Sequence, residues 1–173
     1  MEKKPFIFGV ATSGDNFTDR EKETSRLVLN FRHGVNTVLI SPRRWGKTSL
    51  VQKACRLAQS DKLKVVYIDI FSCRSDRDFY DAFASAILKQ TSSKLDEWLE
   101  HAKLFLSRIS PKISLGTDPM TDFSISLEMN PKSNEIDEIL QLPEKIAQKK
   151  GCNIVVCIDE FQQIAEFKDS KTF

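Results

Sequence analysis

The segment Asn36-Thr37-Val38-Leu39-Ile40-Ser41-Pro42-Arg43-Arg44-Trp45-Gly46-Lys47-Thr48-Ser49-Leu50 decides the fold class. The apolar, β-branched run from Val35 to Ile40 predicts a buried strand, and the residues from Lys47 to about Ser60 predict a helix. Between them the chain follows the phosphate-binding pattern G-x-x-x-x-G-K-[ST] at its last three positions. A strand, such a loop and a helix in this order predict a nucleoside triphosphate ligand.

Each part of the loop has a chemical task. Backbone N–H groups from Arg44 to Thr48 would converge on the phosphates, the ammonium of Lys47 would neutralise them, and the hydroxyl of Thr48 would bind magnesium. Ser41 stands where the first glycine is usual, so it must adopt a positive φ at some cost or form the loop differently. The predicted nucleotide-binding residues here are Ser41, Arg43, Arg44, Trp45, Gly46, Lys47, Thr48 and Ser49. The alternative is a surface turn that contains G-K-T by chance.

A second motif follows about a hundred residues later. Asn153 to Ile158 is a continuous apolar run, which predicts a fully buried parallel strand, and it ends in Asp159 and Glu160. In a phosphate-loop protein, Asp159 would hold Mg²⁺ opposite Thr48, and Glu160 would polarise the water that attacks the γ-phosphate. Lys47 and Glu160 are therefore the predicted catalytic residues. The alternative is that the two acids only stabilise the N-terminus of a helix that follows them.

Size and composition favour a single globular domain. The 173 residues are 40% hydrophobic, and no apolar run reaches the ~20 residues that a membrane helix needs. The N-terminal apolar stretch is too short for a signal peptide, so we expect no membrane contact and a cytoplasmic location. The cysteines have no C-x-x-C pair and no neighbouring histidine at metal-ligand spacing, which favours reduced thiols over a zinc site. They are Cys55, Cys73, Cys152 and Cys157.

The charge is unevenly distributed. Residues 1–64 carry 13 Lys and Arg against 6 Asp and Glu, although the whole chain has a net charge of only +2. Because the basic part contains the phosphate loop, triphosphate binding explains some of the excess. A nucleic-acid surface is possible, but nothing else in the sequence supports one. Arg43 and Arg44 could contact phosphates or act across a subunit boundary; a solvated basic turn is the simpler interpretation.

Periodicity places the remaining elements. Their predicted order is a helix capped by Thr18 or Asp19, a strand Lys64–Ile70, helices Asp76–Gln90 and Leu95–Ile109, a β-ribbon over 112–129, and a helix Ser133–Lys150. The aromatic stripes of the two middle helices, which include Phe79, Phe83 and Trp98, predict core packing and not base stacking. One helix between the first two strands is typical of a βαβ unit.

With these motifs in place, the chain resembles the prokaryotic AAA+/STAND-type ATPases of the archaeal ATPase family, which are relatives of the origin-recognition ATPases. The likeness spans essentially the whole chain. It is carried by Asn16-Phe17-Thr18-Asp19-Arg20-Glu21-Lys22-Glu23, Ser41 to Leu50, Tyr67-Ile68-Asp69-Ile70-Phe71-Ser72, and Val155 to Gln162. The resemblance implies an α/β P-loop NTPase fold that binds ATP and Mg²⁺, with Phe17 and Arg20 flanking the adenine. It also identifies Lys47 as the Walker A lysine and Asp159 and Glu160 as the Walker B acids.

The resemblance further implies that part of the fold is missing. In this class a strand carrying a polar sensor residue follows the Walker B strand and inserts between the first and third strands, and a helical lid comes after it. We therefore expect residues 1–173 to be the N-terminal part of an AAA+-like domain, with 112–129 as a β-hairpin insertion. Unpaired strand edges would make this part marginally stable or self-associating.

Four alternatives remain open from the sequence. One is a slow, nucleotide-operated switch whose output is conformational. The second is a small-molecule or nucleoside kinase, which normally lacks the Asp-Glu pair on a buried strand. The third is a non-catalytic interaction module that uses a sheet edge or the ribbon. A GTPase is less favoured, although a guanine-specifying motif could lie beyond the sequence given.

Overall fold

A small parallel sheet lies between two groups of helices in this α/β protein. The computed structural model describes residues 20–42, 44–93, 95–106, 111–115, 123–127 and 133–167. Its elements, in chain order, are α1 (Glu21–Arg32), α2 (Lys47–Ala58), β1 (Leu63–Asp69), α3 (Asp76–Thr91), α4 (Leu95–Phe105), β2 (Pro111–Leu115), β3 (Phe123–Leu127), α5 (Ser133–Leu140), α6 (Leu142–Lys150), β4 (Asn153–Asp159) and a 3₁₀ helix (Phe161–Glu166).

Strands β1 and β4 pair in parallel, from Leu63 opposite Asn153 to Asp69 opposite Asp159. The ladder is bracketed by hydrogen bonds from the Asn153 N–H to the Lys62 carbonyl (2.8 Å) and from the Ile70 N–H to the Asp159 carbonyl (3.3 Å). The odd-numbered residues of β4 therefore direct their backbone groups toward β1, and the even-numbered ones direct theirs to the opposite edge. The register brings the carboxyl ends of both strands to the same side of the domain.

Helices cover both faces of this sheet. Helices α1 and α2 pack against Leu63 and Val65 of β1 and against Val155 and Cys157 of β4. The other face is covered by helices α3 to α6. On that side Val66, Ile68 and Ile70 are buried together with the predicted helical stripes, namely Phe79, Phe83, Ile87, Ala102 and Leu106. The side chain of Trp98 lies outside the described residues.

The prediction of a buried strand from Val35 to Ile40 is wrong. The sheet that contains β1 and β4 has two strands among the described residues, and the 35–40 segment belongs to neither of the two sheets. Val38 is 87% exposed and Ile40 is 89% exposed, whereas Leu39 packs against the α1–α2 cluster. A β-branched run becomes a strand only when a neighbouring strand accepts its backbone hydrogen bonds, and no such neighbour lies beside it in the described part.

Strand β4 is also less buried than predicted. Five of its seven residues are partly exposed, and only Asp159 is buried. The cause is its second edge, which has no strand beside it among the described residues.

Two further differences concern helices. The predicted helix Ser133–Lys150 is divided at Gln141 into α5 and α6. Pro143 lies in the first turn of α6, where its missing N–H costs no helical hydrogen bond. The N-cap position of α1 is Arg20, in a left-handed conformation without a side-chain cap, whereas the predicted caps Thr18 and Asp19 lie outside the described residues.

Strands β2 and β3 pair antiparallel within the predicted ribbon, and β3 lies against α3. The connecting residues 116–122 lie outside the described part of the chain. The status of this ribbon as an insertion stays a prediction.

The outer edge of β1 is closed by glutamine side chains. Gln59, at the end of α2, accepts a hydrogen bond from the Val65 N–H through Oε1 (2.7 Å). Gln90 of α3 accepts from the Tyr67 N–H (3.0 Å) and donates from Nε2 to the Tyr67 carbonyl (2.9 Å). Two helices therefore supply the hydrogen bonds that a further strand would otherwise make on this side.

Candidate functional site

The loop before α2 turns through two left-handed residues. Arg44 has a φ of 66° and Gly46 a φ of 72°, and Gly46 is the N-cap of α2. Among the described loop residues these are the two with positive φ, so Ser41 avoids the left-handed conformation that a glycine permits. The departure from the glycine pattern is therefore accommodated by a different loop geometry and creates no left-handed strain at Ser41. Arg43 lies outside the described residues.

The two motifs meet at Asp159. The Thr48 hydroxyl donates to Asp159 Oδ2 over 2.7 Å, and the Lys47 ammonium lies 3.0 Å from Oδ1. Lys47 and Thr48 open α2, while Asp159 is the last residue of β4 and is 8% exposed. Because helices begin and parallel strands end at the same side of such a sheet, residues 111 positions apart form one charged cluster.

Tyr67 is a member of this cluster that the sequence reasoning missed. Its hydroxyl donates to Asp159 Oδ2 over 2.8 Å. Tyr67 lies opposite Cys157 in the ladder, so its side chain is on the sheet face that also carries Asp159. The available signal was the odd–even alternation of β1, which places residue 67 on the face covered by α2.

These donors control the ionisation of Asp159. Burial alone would raise the pKa of its carboxyl group, but the hydrogen bonds from Thr48, Lys47 and Tyr67 outweigh burial and hold the pKa below its ordinary value. Burial, and then the hydrogen bond to the Asp159 carboxylate, raise the pKa of Tyr67. Asp159 therefore stays a carboxylate, and Tyr67 stays a neutral donor, at neutral pH.

Arg20 lies against the loop. Its guanidinium donates from Nη1 to the carbonyl oxygen of Trp45 over 2.7 Å, and it pairs with Glu23 at 3.5 Å. The start of α1 is thereby attached to the loop that precedes α2. Phe17, the other residue predicted beside the adenine, lies outside the described residues. Trp45 is 65% exposed, Arg44 is exposed, and Ser49 is buried.

Glu160 adjoins the cluster in a strained conformation. Its φ is 56°, its backbone N–H donates to Asp159 Oδ1 over 2.9 Å, and its carboxylate accepts a hydrogen bond from Gln162. A left-handed non-glycine residue costs about 1 kcal/mol or more, which the surrounding structure must offset. The side chain is thereby turned toward Gln162 while the backbone supports Asp159.

The chemistry of these oxygens suits a hard cation. Thr48 gives its hydrogen to Asp159, which leaves the lone pairs of its own oxygen available to a metal. Mg²⁺ is typically held by one or two protein oxygens together with water and substrate phosphates, so a hydroxyl and a carboxylate suffice. No group of three or more His, Cys, Asp or Glu side chains that could hold a metal occurs among the described residues.

The helices of the described ranges include none that is both long and apolar enough to cross a membrane.

A sequence model described as "ATPase domain predominantly from Archaea" matches residues 17–173. Searches among curated proteins and among solved structures return no match.

Proposed function

Because the chain belongs to the family of ATPase domains found predominantly in Archaea, we propose that it binds ATP with Mg²⁺ at the Lys47, Thr48 and Asp159 cluster and hydrolyses it. In this proposal Lys47 and the loop N–H groups from Arg44 to Thr48 bind the β- and γ-phosphates. Thr48 and Asp159 hold the metal, and Glu160 orients the attacking water. The contact of Asp159 with both Thr48 (2.7 Å) and Lys47 (3.0 Å) is the observation that carries the proposal.

The bound metal would supply charge neutralisation of the phosphates. The residues of the chain itself would hold the phosphates and the metal ligands in place. Thr48 and Lys47 share the first turn of α2, so the peptide dipoles of this 12-residue helix add partial positive charge where the phosphates would lie. Tyr67 restrains Asp159 from the opposite strand, and Arg20 restrains the loop at Trp45. A site arranged in this way needs little reorganisation when charge develops on the transferring phosphoryl group.

Paired variants test these roles. Isothermal titration with Mg-ATP should show that Lys47→Ala weakens binding by about 100-fold, because a charge-assisted contact to phosphate is lost. Lys62→Ala, an exposed lysine before β1, serves as the matched control and should bind normally. Glu160→Gln should bind ATP with unchanged affinity and turn it over about 100-fold more slowly. Hydrolysis by Glu160→Gln at the parent rate would overturn the assignment of the water-orienting role.

We propose that hydrolysis drives or switches a conformational change. Single-turnover rates report the chemical step and multiple-turnover rates also include product release, so measuring both tests whether the chain works as a slow switch or as a motor. A small-molecule kinase would instead transfer the γ-phosphoryl group, so a search for a phosphorylated acceptor separates that alternative.

One observation favours a second, binding role. The even-numbered residues of β4 direct their backbone groups to an edge that has no strand beside it in the described part, and Val38 and Ile40 are exposed. We propose that two copies of the chain pair through this open edge, with β4 of one copy beside β4 of the other. Such pairing would give hydrogen-bond partners to the outward backbone groups of β4 in both copies. Analytical ultracentrifugation should then show a concentration-dependent dimer. A strictly monomeric chain with one cooperative melting transition, stabilised by nucleotide, would overturn this second role.

A further inference from the structure

Two cysteines that are far apart in the sequence meet inside the fold. Cys55 lies on α2 and Cys157 on β4, and their sulfur atoms are 3.8 Å apart, with the Cys55 thiol donating to Cys157. Both are free thiols. The sequence offered no sign of this pairing because 102 positions separate the two residues.

The two cysteines lie on the same helix and strand as the residues of the proposed nucleotide site. Cys55 is two helical turns along α2 from Lys47 and Thr48, and Cys157 is two residues before Asp159 in β4. Both sulfurs belong to the apolar cluster between the helix and the sheet. A covalent bond between them would therefore join the two elements that carry the predicted phosphate and metal residues.

Small molecules have a route to the pair. Cys157 is half-buried. A surface depression of about 310 Å³ reaches Cys55 and is lined in addition by Gln52, Arg56, Gln59, Val65, Tyr67 and Gln90. An oxidant as small as hydrogen peroxide fits a depression of this size. The two sulfurs need to approach by less than 2 Å to reach the ~2.05 Å length of a disulfide.

We propose that Cys55 and Cys157 are a modification site at which a peroxide forms a reversible disulfide between α2 and β4. In the first step the Cys157 sulfur attacks a peroxide oxygen, the O–O bond breaks, and one water leaves as the sulfenic acid forms. In the second step the Cys55 sulfur attacks the Cys157 sulfur, the S–O bond breaks, and the second water leaves. The two thiols lose two electrons and two protons, and the peroxide is reduced to water. A dithiol reductant reverses the change by thiol–disulfide exchange.

The disulfide would close a loop of about 100 residues and so restrict the unfolded chain strongly. It would also hold α2 against β4 whether or not a ligand is bound. The expected result is a domain that melts at a higher temperature after oxidation, by roughly 5–10 °C.

The test is oxidation of the purified full chain with hydrogen peroxide, followed by thiol counting and peptide mapping. We expect the loss of two of four thiols, recovered by dithiothreitol. Trypsin should release Ala54–Arg56 linked to the peptide Gly151–Lys168. Because the second peptide also contains Cys152, the Cys73→Ser/Cys152→Ser variant gives an unambiguous assignment and should behave like the unsubstituted chain.

Matched variants complete the test. Cys55→Ala and Cys157→Ala should each abolish the intramolecular link and the rise in melting temperature. If either variant fails to fold, the map of the unsubstituted chain still decides the question. The proposal is overturned if Cys55 and Cys157 remain free thiols, if they oxidise separately to sulfinic acids, or if the links join different chains.

Discussion

The two outer edges of the sheet are finished in different ways. On β1, Gln59 and Gln90 bind the outward backbone groups of Val65 and Tyr67 with three hydrogen bonds. On β4, the outward groups belong to even-numbered residues and face no strand within the described ranges. Unpaired edges invite pairing with another chain, and proteins normally protect them. The sheet is therefore terminated on the β1 side and remains able to accept a strand on the β4 side.

The largest expected change in stability comes from proline substitutions in β4, which compare its paired edge with its open edge. Val155→Pro removes an N–H that faces β1 and breaks a ladder hydrogen bond, so it should lower the free energy of unfolding more than any other substitution considered below. Val156→Pro removes an N–H that faces the open edge, so its cost should be smaller by about 1–2 kcal/mol. Both residues are half-buried, which makes the pair well matched. Urea denaturation measures both values, and equal costs would show that the β4 edge is paired in solution.

A smaller effect is expected at the closed edge. Gln90→Ala removes two hydrogen bonds from Tyr67 and should cost about 2 kcal/mol, with faster amide hydrogen exchange at Tyr67. Gln90→Glu is the matched control, since its carboxylate keeps the acceptor and loses the donor. If the Tyr67 amide exchanges at the parent rate in Gln90→Ala, the glutamine does not close the edge.

Tyr67 links the glutamine-bonded edge of β1 to Asp159. Removing its hydroxyl group should therefore change how the stability of the fold depends on pH. Tyr67→Phe deletes one donor to Asp159, so the depressed pKa of Asp159 should rise toward its ordinary value. A depressed carboxyl pKa stabilises the fold above the unfolded value of about 3.9, and this contribution disappears as the pH falls. The variant should lose about 1.5 kcal/mol at pH 7 and show a weaker decline of stability between pH 5 and 3.

Thermal unfolding at several pH values measures this difference. Asp159→Asn removes the titrating group and serves as the reference, because the pH dependence that remains in this variant comes from other carboxylates with a lowered pKa, such as Glu97 and Glu100. An unchanged pH profile in Tyr67→Phe would mean that Tyr67 does not influence Asp159.

The smallest effect is expected at Gln59. Gln59→Ala removes one hydrogen bond to the Val65 N–H and should cost about 1 kcal/mol. Hydrogen exchange at Val65 should accelerate while exchange at Tyr67 stays constant, since Gln90 covers the latter. Acceleration at both residues would instead indicate that the whole β1 edge opens as a unit.

The two edges of the sheet also show which parts of the fold the sequence could predict and which it could not. The α/β class, strands β1 and β4, helices α2 and α3, and the identity of Lys47, Thr48 and Asp159 as candidate site residues follow from local patterns. Their direct contact follows from the parallel order of the strands. By contrast, residues 35–40 have the same β-branched character as β1, but they form no strand and all except Leu39 are exposed. The residue types of a segment indicate whether its side chains would suit a strand. Whether the segment joins a sheet depends on neighbouring strands that are distant in the chain.

Other features depend on tertiary contacts alone. The Gln90–Tyr67 hydrogen bonds, the Tyr67–Asp159 hydrogen bond and the Cys55–Cys157 contact each join residues that are distant in the sequence. The left-handed residues Arg44 and Glu160 carry no glycine signal, so the sequence could not reveal them. The roles of Phe17 and Arg43 stay predictions, because both lie outside the described residues.

At Glu160 the residue type that the backbone conformation favours differs from the one that the proposed mechanism needs. A glycine would adopt the φ of 56° without the Cβ clash, so this position favours a residue that has no carboxylate. Laboratory selection for heat resistance alone would therefore favour Glu160→Gly, and under the proposed mechanism the resulting proteins would lack the side chain that orients water.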